Sequence, residues 1–264
     1  MLAEVVAIAN HKGGVGKSFT SVSLSAGLAR AGLRVLLVDC DPQSNSTSMF
    51  DPDDDVEFDL YDVIVGEVPL DKVIRPTRVP GLDLLPSTLA VARLDQELVT
   101  KHRREEQLRR HLKPVLDRYD VVVMDLSPNL GSLVIAALCA ANSLIVPTDA
   151  SRWGQRGVQM FLEWAETLRD AEVLTADLLG VLLTKYEPQT RISRQVFADL
   201  QASAVPMFEA IIPKRTAAER MVSDLSVIGD ANADTDLAQA YAQFTVEVMD
   251  KIERVRASRG RHHA

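Results

Sequence analysis

The stretch His11-Lys12-Gly13-Gly14-Val15-Gly16-Lys17-Ser18, HKGGVGKS, follows the apolar run Val5 to Ala9 and precedes a helical stretch from Ser18 to Ala31. A strand, a glycine-rich turn and a helix in that order form the context of a phosphate-binding loop. The usual G-x-x-x-x-G-K-[ST] spacing would put its first glycine at position 11, where this chain has His11, and a lysine follows at once. Gly13, Gly14 and Gly16 allow the backbone to turn its N–H groups toward an anion, and the helix N-terminus adds partial positive charge. In this pattern Lys17 reaches the β- and γ-phosphates and the Ser18 hydroxyl ligates Mg²⁺. A bare glycine turn has no need of a lysine and a hydroxyl at those two places. The candidate nucleotide segment therefore runs Lys12, Gly13, Gly14, Val15, Gly16, Lys17, Ser18, Phe19.

Outward from this loop, short apolar β-rich runs recur at intervals suited to β-α alternation: VVAIAN from Val5, RVLLVD from Arg34, LDLLP from Leu82, VVVMD from Val121, SLIVP from Ser143 and LLGVLLT from Leu178. Nearly continuous apolar runs suit strands covered on both faces, as in a parallel sheet. Helical stretches lie between them, among them Leu94 to Tyr119. The pattern predicts one α/β domain over 1–264, doubly wound, with a mostly parallel sheet and helices on both faces. A last helix is expected over about 234–256, with Leu237, Ala240, Tyr241, Phe244, Val248 and Ile252 at helical spacing, followed by a frayed tail at 257–264.

Two further strand ends carry acids. Asp39 and Asp41 stand in VDCDPQ, and Asp125 ends VVVMD, where open α/β sheets place their ligands. An Asp after an apolar strand is often a turn former. Three strand ends that each deliver phosphate or magnesium chemistry make a stronger case together, with Asp39 or Asp41 available to the metal's water shell or to a reacting water and Asp125 to Mg²⁺.

Composition narrows the classes. With 264 residues, 47% hydrophobic and 25% charged, the chain is long enough for a large core. No apolar run approaches the roughly 20 residues needed to cross a bilayer, and the first residues lack a basic signal-peptide region, so a cytoplasmic location is expected. Cys40 and Cys139 lack C-x-x-C spacing and read as buried small residues. Despite the net charge of −8, base concentrates late in the chain, at Lys185, Arg191, Arg194, Lys214, Arg215 and Arg220 and then in a tail with Lys251, Arg254, Arg256, Arg259 and Arg261, so a polyanion would meet the C-terminal half, with Arg191, Arg194, Lys214, Arg215 and Arg220 as its candidate contacts.

KGGVGKS, VDCDPQ and VVVMD closely resemble the deviant Walker P-loop ATPases of the ParA and Soj group, relatives of MinD that position DNA or other cargo in bacteria. DLYDVI, GLDLLPST, LLTKYE, RISRQV and IIPKR resemble segments of the family in the same order, so the likeness covers most of the chain. It implies an ATPase with ATP and Mg²⁺ as cofactors. Lys12 matches the signature lysine that crosses a dimer interface to the partner's nucleotide, and Lys17 the ordinary loop lysine. Asp41 matches the acid that orients the attacking water, Asp39 and Asp125 the acids near magnesium, and Pro213 a segment lining the adenine pocket. The resemblance also implies an ATP-dependent homodimer, non-specific binding to nucleoid DNA and a ParB-like activator. Here His11 stands where Gln is common in the relatives, and Leu-Ser-Pro-Asn-Leu-Gly follows Asp125 in place of the more frequent Thr-Pro-Pro.

Other readings make different demands. A protein cargo such as a carboxysome or chemoreceptor cluster would suit the same ATPase. A MinD-like protein would need large apolar anchors on a C-terminal membrane helix, and beyond Phe244 there is no Trp or Phe. An iron-sulfur relative would need a cysteine soon after Asp125. A metabolic synthetase of the dethiobiotin kind would share the loop and have less use for Lys12.

Overall fold

A computed structural model describes residues 3–50, 56–214 and 236–262. Its centre is an eight-stranded sheet: β1 (Glu4–Ile8), β2 (Val35–Cys40), β3 (Arg75–Pro76), β4 (Leu82–Leu85), β5 (Val121–Leu126), β6 (Ser143–Asp149), β7 (Asp177–Tyr186) and β8 (Met207–Pro213). The order across the sheet is β3-β4-β2-β5-β1-β6-β7-β8. Every pairing is parallel except the short β3 against β4. The central strands β1, β2 and β5 are buried along their whole length, so both of their faces favour apolar residues and no alternation is visible in the sequence.

Helices cover both faces. Residues from α1 (Lys17–Arg30), α2 (Asn45–Phe50) and α10 (Asp236–His262) join one face of the sheet in one apolar core. Residues from α3 (Leu60–Val65), α4 (Leu70–Val73), α5 (Leu94–Thr100), α6 (Gln107–Leu112), α7 (Ser132–Ala140) and α8 (Arg152–Asp170) join the other. The helix α9 (Arg191–Ala202) packs Val196 and Leu200 on Leu183 of β7. These layers are those expected of a doubly wound fold.

The stretch Leu94 to Tyr119, read as one helix from composition, is broken. α5 ends at Thr100, Arg103 takes a left-handed backbone with φ 50°, and α6 starts at Gln107 and gives way to a short 3₁₀ turn containing Pro114. Proline removes a backbone donor and clashes with the preceding turn, so the helix cannot run on. Composition favoured a helix throughout; the backbone at two points did not.

The last helix also departs from expectation. Positions 234 and 235 lie outside the described residues, and from Asp236 the helix runs past 256 to His262. The reason is Glu4, a buried carboxylate at the start of β1. Arg256 Nε lies 3.2 Å and Arg259 Nη1 2.9 Å from its oxygens, and Arg259 Nε reaches Asp177 at 3.0 Å. An unpaired buried carboxylate is costly, so the two arginines hold the end of the helix against the sheet. The apolar stripe Leu237, Tyr241, Phe244, Val248 and Ile252 is buried there. At about 1.5–3 kcal/mol per side chain, that burial is worth on the order of 10 kcal/mol. Those side chains thus belong to the core and do not form a membrane face, and among the described residues no helix is long and apolar enough to cross a membrane.

α1 and α10 meet at Gly27, where a Cβ would fall inside contact distance of Thr245 Oγ1 and 3.1 Å from its Cγ2. Helix propensity favours alanine over glycine by about 1 kcal/mol, whereas overpacking costs about 1–3 kcal/mol. Gly27→Ala should therefore lower the stability read from urea unfolding by a net of roughly 1 kcal/mol, with partial recovery in Gly27→Ala/Thr245→Ala. A midpoint raised by Gly27→Ala would mean the helices separate freely there.

Candidate nucleotide and metal site

The loop between β1 and α1 sits at the C-terminal edge of the sheet, beside the ends of β2, β5, β6 and β7. Gly14 and Gly16 have φ of 74° and 85°, the left-handed region that glycine enters without a Cβ penalty, and Gly16 starts α1. His11 does not disturb this geometry, because the turn is made further along. A cleft of about 820 Å³ opens over the loop, lined by Gly13, Gly14, Gly16, Lys17, Ser18 and Phe19 on one side and Asp41, Pro128, Lys185, Pro213 and Tyr241 around it. It is large enough for a nucleoside triphosphate.

Beneath the loop, Asp39 and Asp125 are register partners on adjacent strands and fully buried. Asp39 accepts from Asp41 N at 3.0 Å, Thr47 N at 2.9 Å and Thr47 Oγ1 at 2.8 Å. Asp125 accepts from Ser21 Oγ at 3.1 Å and Ser46 Oγ at 2.7 Å, and the Ser18 hydroxyl lies close enough to favour its charged form. Burial, and then the charge of Asp125, push the Asp39 carboxyl well above the usual range. Burial also raises Asp125, opposed by bonds from Ser46 and Ser18 and by the charge of Lys17. Lys17 is itself shifted down by burial, while Asp125 and Asp41 favour its charged form. Two carboxylates held this close in a dry site gain from added positive charge.

Among the described residues no three His, Cys, Asp or Glu side chains cluster as a ready cation cage. The Ser18 hydroxyl near a buried, charge-crowded Asp125 is instead a hard oxygen set of the kind that Mg²⁺ uses when waters and phosphate oxygens complete its shell. The residues fit a Mg²⁺ held together with a phosphate ligand. Asp41 sits at the cleft wall, its backbone N–H bonded to Asp39 and its Oδ1 accepting from Gln43 N at 2.9 Å. Among the described residues, its other carboxylate oxygen takes no hydrogen bond and is free to hold a water.

Lys12 is engaged within its own chain. Its ammonium lies 2.7 and 2.8 Å from the two oxygens of Asp149 at the end of β6, and 3.1 Å from Ser151 Oγ. Ser151 in turn caps α8 through Gly154 N. Val15 is fully buried, and its carbonyl accepts from Thr184 Oγ1 at 2.8 Å.

The basic candidates divide. Arg191 and Arg194 both lie exposed in the first turns of α9, with Arg194 Nη1 donating to Pro188 O at 2.8 Å. Lys214, expected on a DNA-facing loop, stands at the rim of the nucleotide cleft and pairs with Glu187 at 2.5 Å. Strand β8 ends beside β7, which carries Lys214 into the cleft. Arg215 and Arg220 lie outside the described residues. Thr184 and Lys185, which fall in the LLTKYE segment, also line the cleft, as do Leu237 and Tyr241, which no motif marked. The rule that ligands gather at C-terminal strand ends would have found Thr184 and Lys185. Nothing local identifies Tyr241, which reaches Thr20 at 3.2 Å and packs against Phe19 only because α10 folds back.

A parallel sheet with a glycine loop, a buried loop lysine and buried strand-end acids defines a P-loop protein of the α/β Walker class. A family model described as an AAA domain matches residues 3–179. The chain is 37% identical over 217 residues to the sporulation initiation inhibitor protein Soj of Bacillus subtilis, covering 81% of this chain and 85% of that one. It is 38% identical over 198 residues to an uncharacterized protein of Mycobacterium tuberculosis, covering 74% of this chain, and it spans only 62% of that relative's length. A crystal structure described as cobyrinic acid a,c-diamide synthase from Mycobacterium smegmatis, with bound ADP and magnesium, superposes with a TM-score of 0.82 at 31% identity, covering 96% of each chain. The chain belongs to the ParA/Soj-type P-loop ATPases.

Proposed function

We propose that this chain is a Mg²⁺-dependent ATPase of the positioning kind, which pairs two ATP-bound copies, binds nucleoid DNA without sequence preference in that state, and is released when a ParB-like partner stimulates hydrolysis. The observation that carries the reading is the pair of lysines around one cleft. Lys17 lies inside the cradle near Asp41 and Asp125, while Lys12 lies just outside it, paired with Asp149 of its own chain.

In this reading the loop N–H groups and Lys17 bind and orient the phosphates, Ser18 and Asp125 hold Mg²⁺, and Asp39 supports that shell. The metal, when bound, neutralises charge on the phosphate oxygens. Asp41 holds the attacking water, and Pro213, Phe19 and Tyr241 bound the cleft on the base side. A lysine supplied by a second copy stabilises developing phosphate charge only when the two cradles face each other, which makes pairing depend on ATP. Localisation on the nucleoid then follows nucleotide state.

DNA contact is assigned to Arg191 and Arg194. Two cations in the first turns of a helix work against its macrodipole unless an anion joins them, and a DNA phosphate would. Arg191→Glu with Arg194→Glu should weaken binding to all DNA sequences alike and lower the slope of log K against log salt by about 2, measured by fluorescence anisotropy. Unaltered affinity at fixed salt would remove this patch from consideration.

The likeness to a structure described as a synthase favours a second reading, a metabolic ATP-dependent enzyme. Sedimentation with non-specific DNA in ATP, ADP or no nucleotide separates the two. Binding in ATP alone supports positioning, and no binding in any state favours the metabolic enzyme.

A further inference from the structure

We propose that Lys185 is a positioning residue of the phosphate cradle, whose ammonium pins the Gly14 carbonyl outward and so aims the next N–H of the loop inward before any anion arrives. The inference rests on the nucleotide reading above and deepens it at one residue.

The geometry comes from the end of β7. Two successive side chains there, Thr184 and Lys185, grip two successive carbonyls of the loop. Thr184 Oγ1 donates to Val15 O at 2.8 Å, and Lys185 Nζ donates to Gly14 O at 2.7 Å. A trans peptide is planar, with its C=O and N–H pointing opposite ways. With Gly14 O and Val15 O both turned toward the end of β7, Val15 N–H and Gly16 N–H turn away from it. These are donors that a phosphate cradle uses.

The clamp acts where the chain cannot hold itself. Gly14 has φ 74° and no atom lies within 4 Å of where a Cβ would sit, so no side-chain contact at Gly14 restrains the peptide that follows it. Glycine at this point permits the turn and also leaves the peptide free to flip. Val15 is different, since its side chain is wholly buried and its carbonyl is held by a buried threonine. The peptide between Gly14 and Val15 is thus unrestrained by packing on its Gly14 side, and Lys185 bonds to its carbonyl.

Lys185 itself carries a cost that packing does not explain. Its φ is 52°, a left-handed backbone at a residue with a long side chain, and it is exposed at the rim of the cleft. Backbone strain kept at a cleft rim points to a functional constraint. The left-handed kink at the end of β7 is what turns the side chain from its strand direction toward Gly14. Lys214, the neighbouring cation, is paired with Glu187 and does not share this contact.

The test is calorimetric titration of ADP with Mg²⁺ into the wild-type chain and into Lys185→Met, Lys185→Gly and Lys185→Arg, together with a melting temperature for each without nucleotide. Removing one charged hydrogen bond should weaken ADP binding about tenfold in Lys185→Met and Lys185→Gly. Lys185→Arg should recover most of the affinity. Glycine relieves the left-handed strain, so Lys185→Gly should melt no lower than wild type while binding ADP worse. A merely structural role would move stability and affinity together, and that result would overturn the proposal. Wild-type affinity in Lys185→Met would also overturn it while leaving the nucleotide reading intact. A wild-type chain that does not bind ADP would overturn both.

Discussion

Asp41→Ala should bind ATP and pair as the wild type does, yet release phosphate about 10²–10⁴-fold more slowly, the usual contribution of a positioned acid or base. The expectation follows from the way Asp41 is held. Its backbone N–H is tied to Asp39 and one carboxylate oxygen receives Gln43 N, so the second oxygen has a set direction at the cleft wall. Alanine removes both the turn bond and the oxygen that would hold the water. Asp41→Asn separates these losses, because an amide oxygen can still accept from Gln43 N and only the charge is gone. Both variants should accumulate as ATP-bound pairs in size-exclusion chromatography with light scattering. Undiminished phosphate release in both would take the attacking water away from Asp41.

The second large effect concerns Lys12. Lys12→Ala should keep ADP affinity within a few-fold, because Lys17 and the loop N–H groups remain, and should abolish ATP-dependent pairing. Truncating one member of a buried charge pair across an interface costs about 2–5 kcal/mol, enough to weaken pairing by roughly 30- to 4,000-fold. In the described conformation the lysine is held by Asp149 and Ser151 of its own chain, and the side chains of Lys12 and Asp149 are only 25% and 21% exposed. A role across the interface must compete with this hold. Asp149→Asn weakens the hold by removing its charge, so it should tighten ATP-dependent pairing, whereas an unchanged pair in Lys12→Ala would refute the interface role.

Much of the site was legible before any coordinates because its parts are local. Lys17 and Ser18 stand directly after a glycine turn, and Asp39, Asp41 and Asp125 end apolar runs, so short-range spacing places them on strand ends facing one edge. Lys214 and Lys185 show what such reading leaves open. Both are lysines near a strand end, and only the pairing of β7 with β6 and β8 decides that one joins Glu187 at the cleft and the other meets Gly14. The long helical reading from Leu94 failed for another reason, since residue propensity is a weak prior and one proline with one left-handed residue outweighs it.

By itself, the sequence determined the layered α/β architecture, the phosphate loop and the acids beneath it. Periodicity and turn chemistry act over a few residues, and the parallel sheet collects strand ends at one edge. Tertiary structure alone decided what surrounds the loop: the Asp149 hold on Lys12, the Lys185 grip on Gly14, and the return of α10 that brings Tyr241 to Thr20. Those bonds join residues more than 130 positions apart. No local pattern encodes them, because burial and strand order across the whole core determine which distant side chains arrive at the cleft.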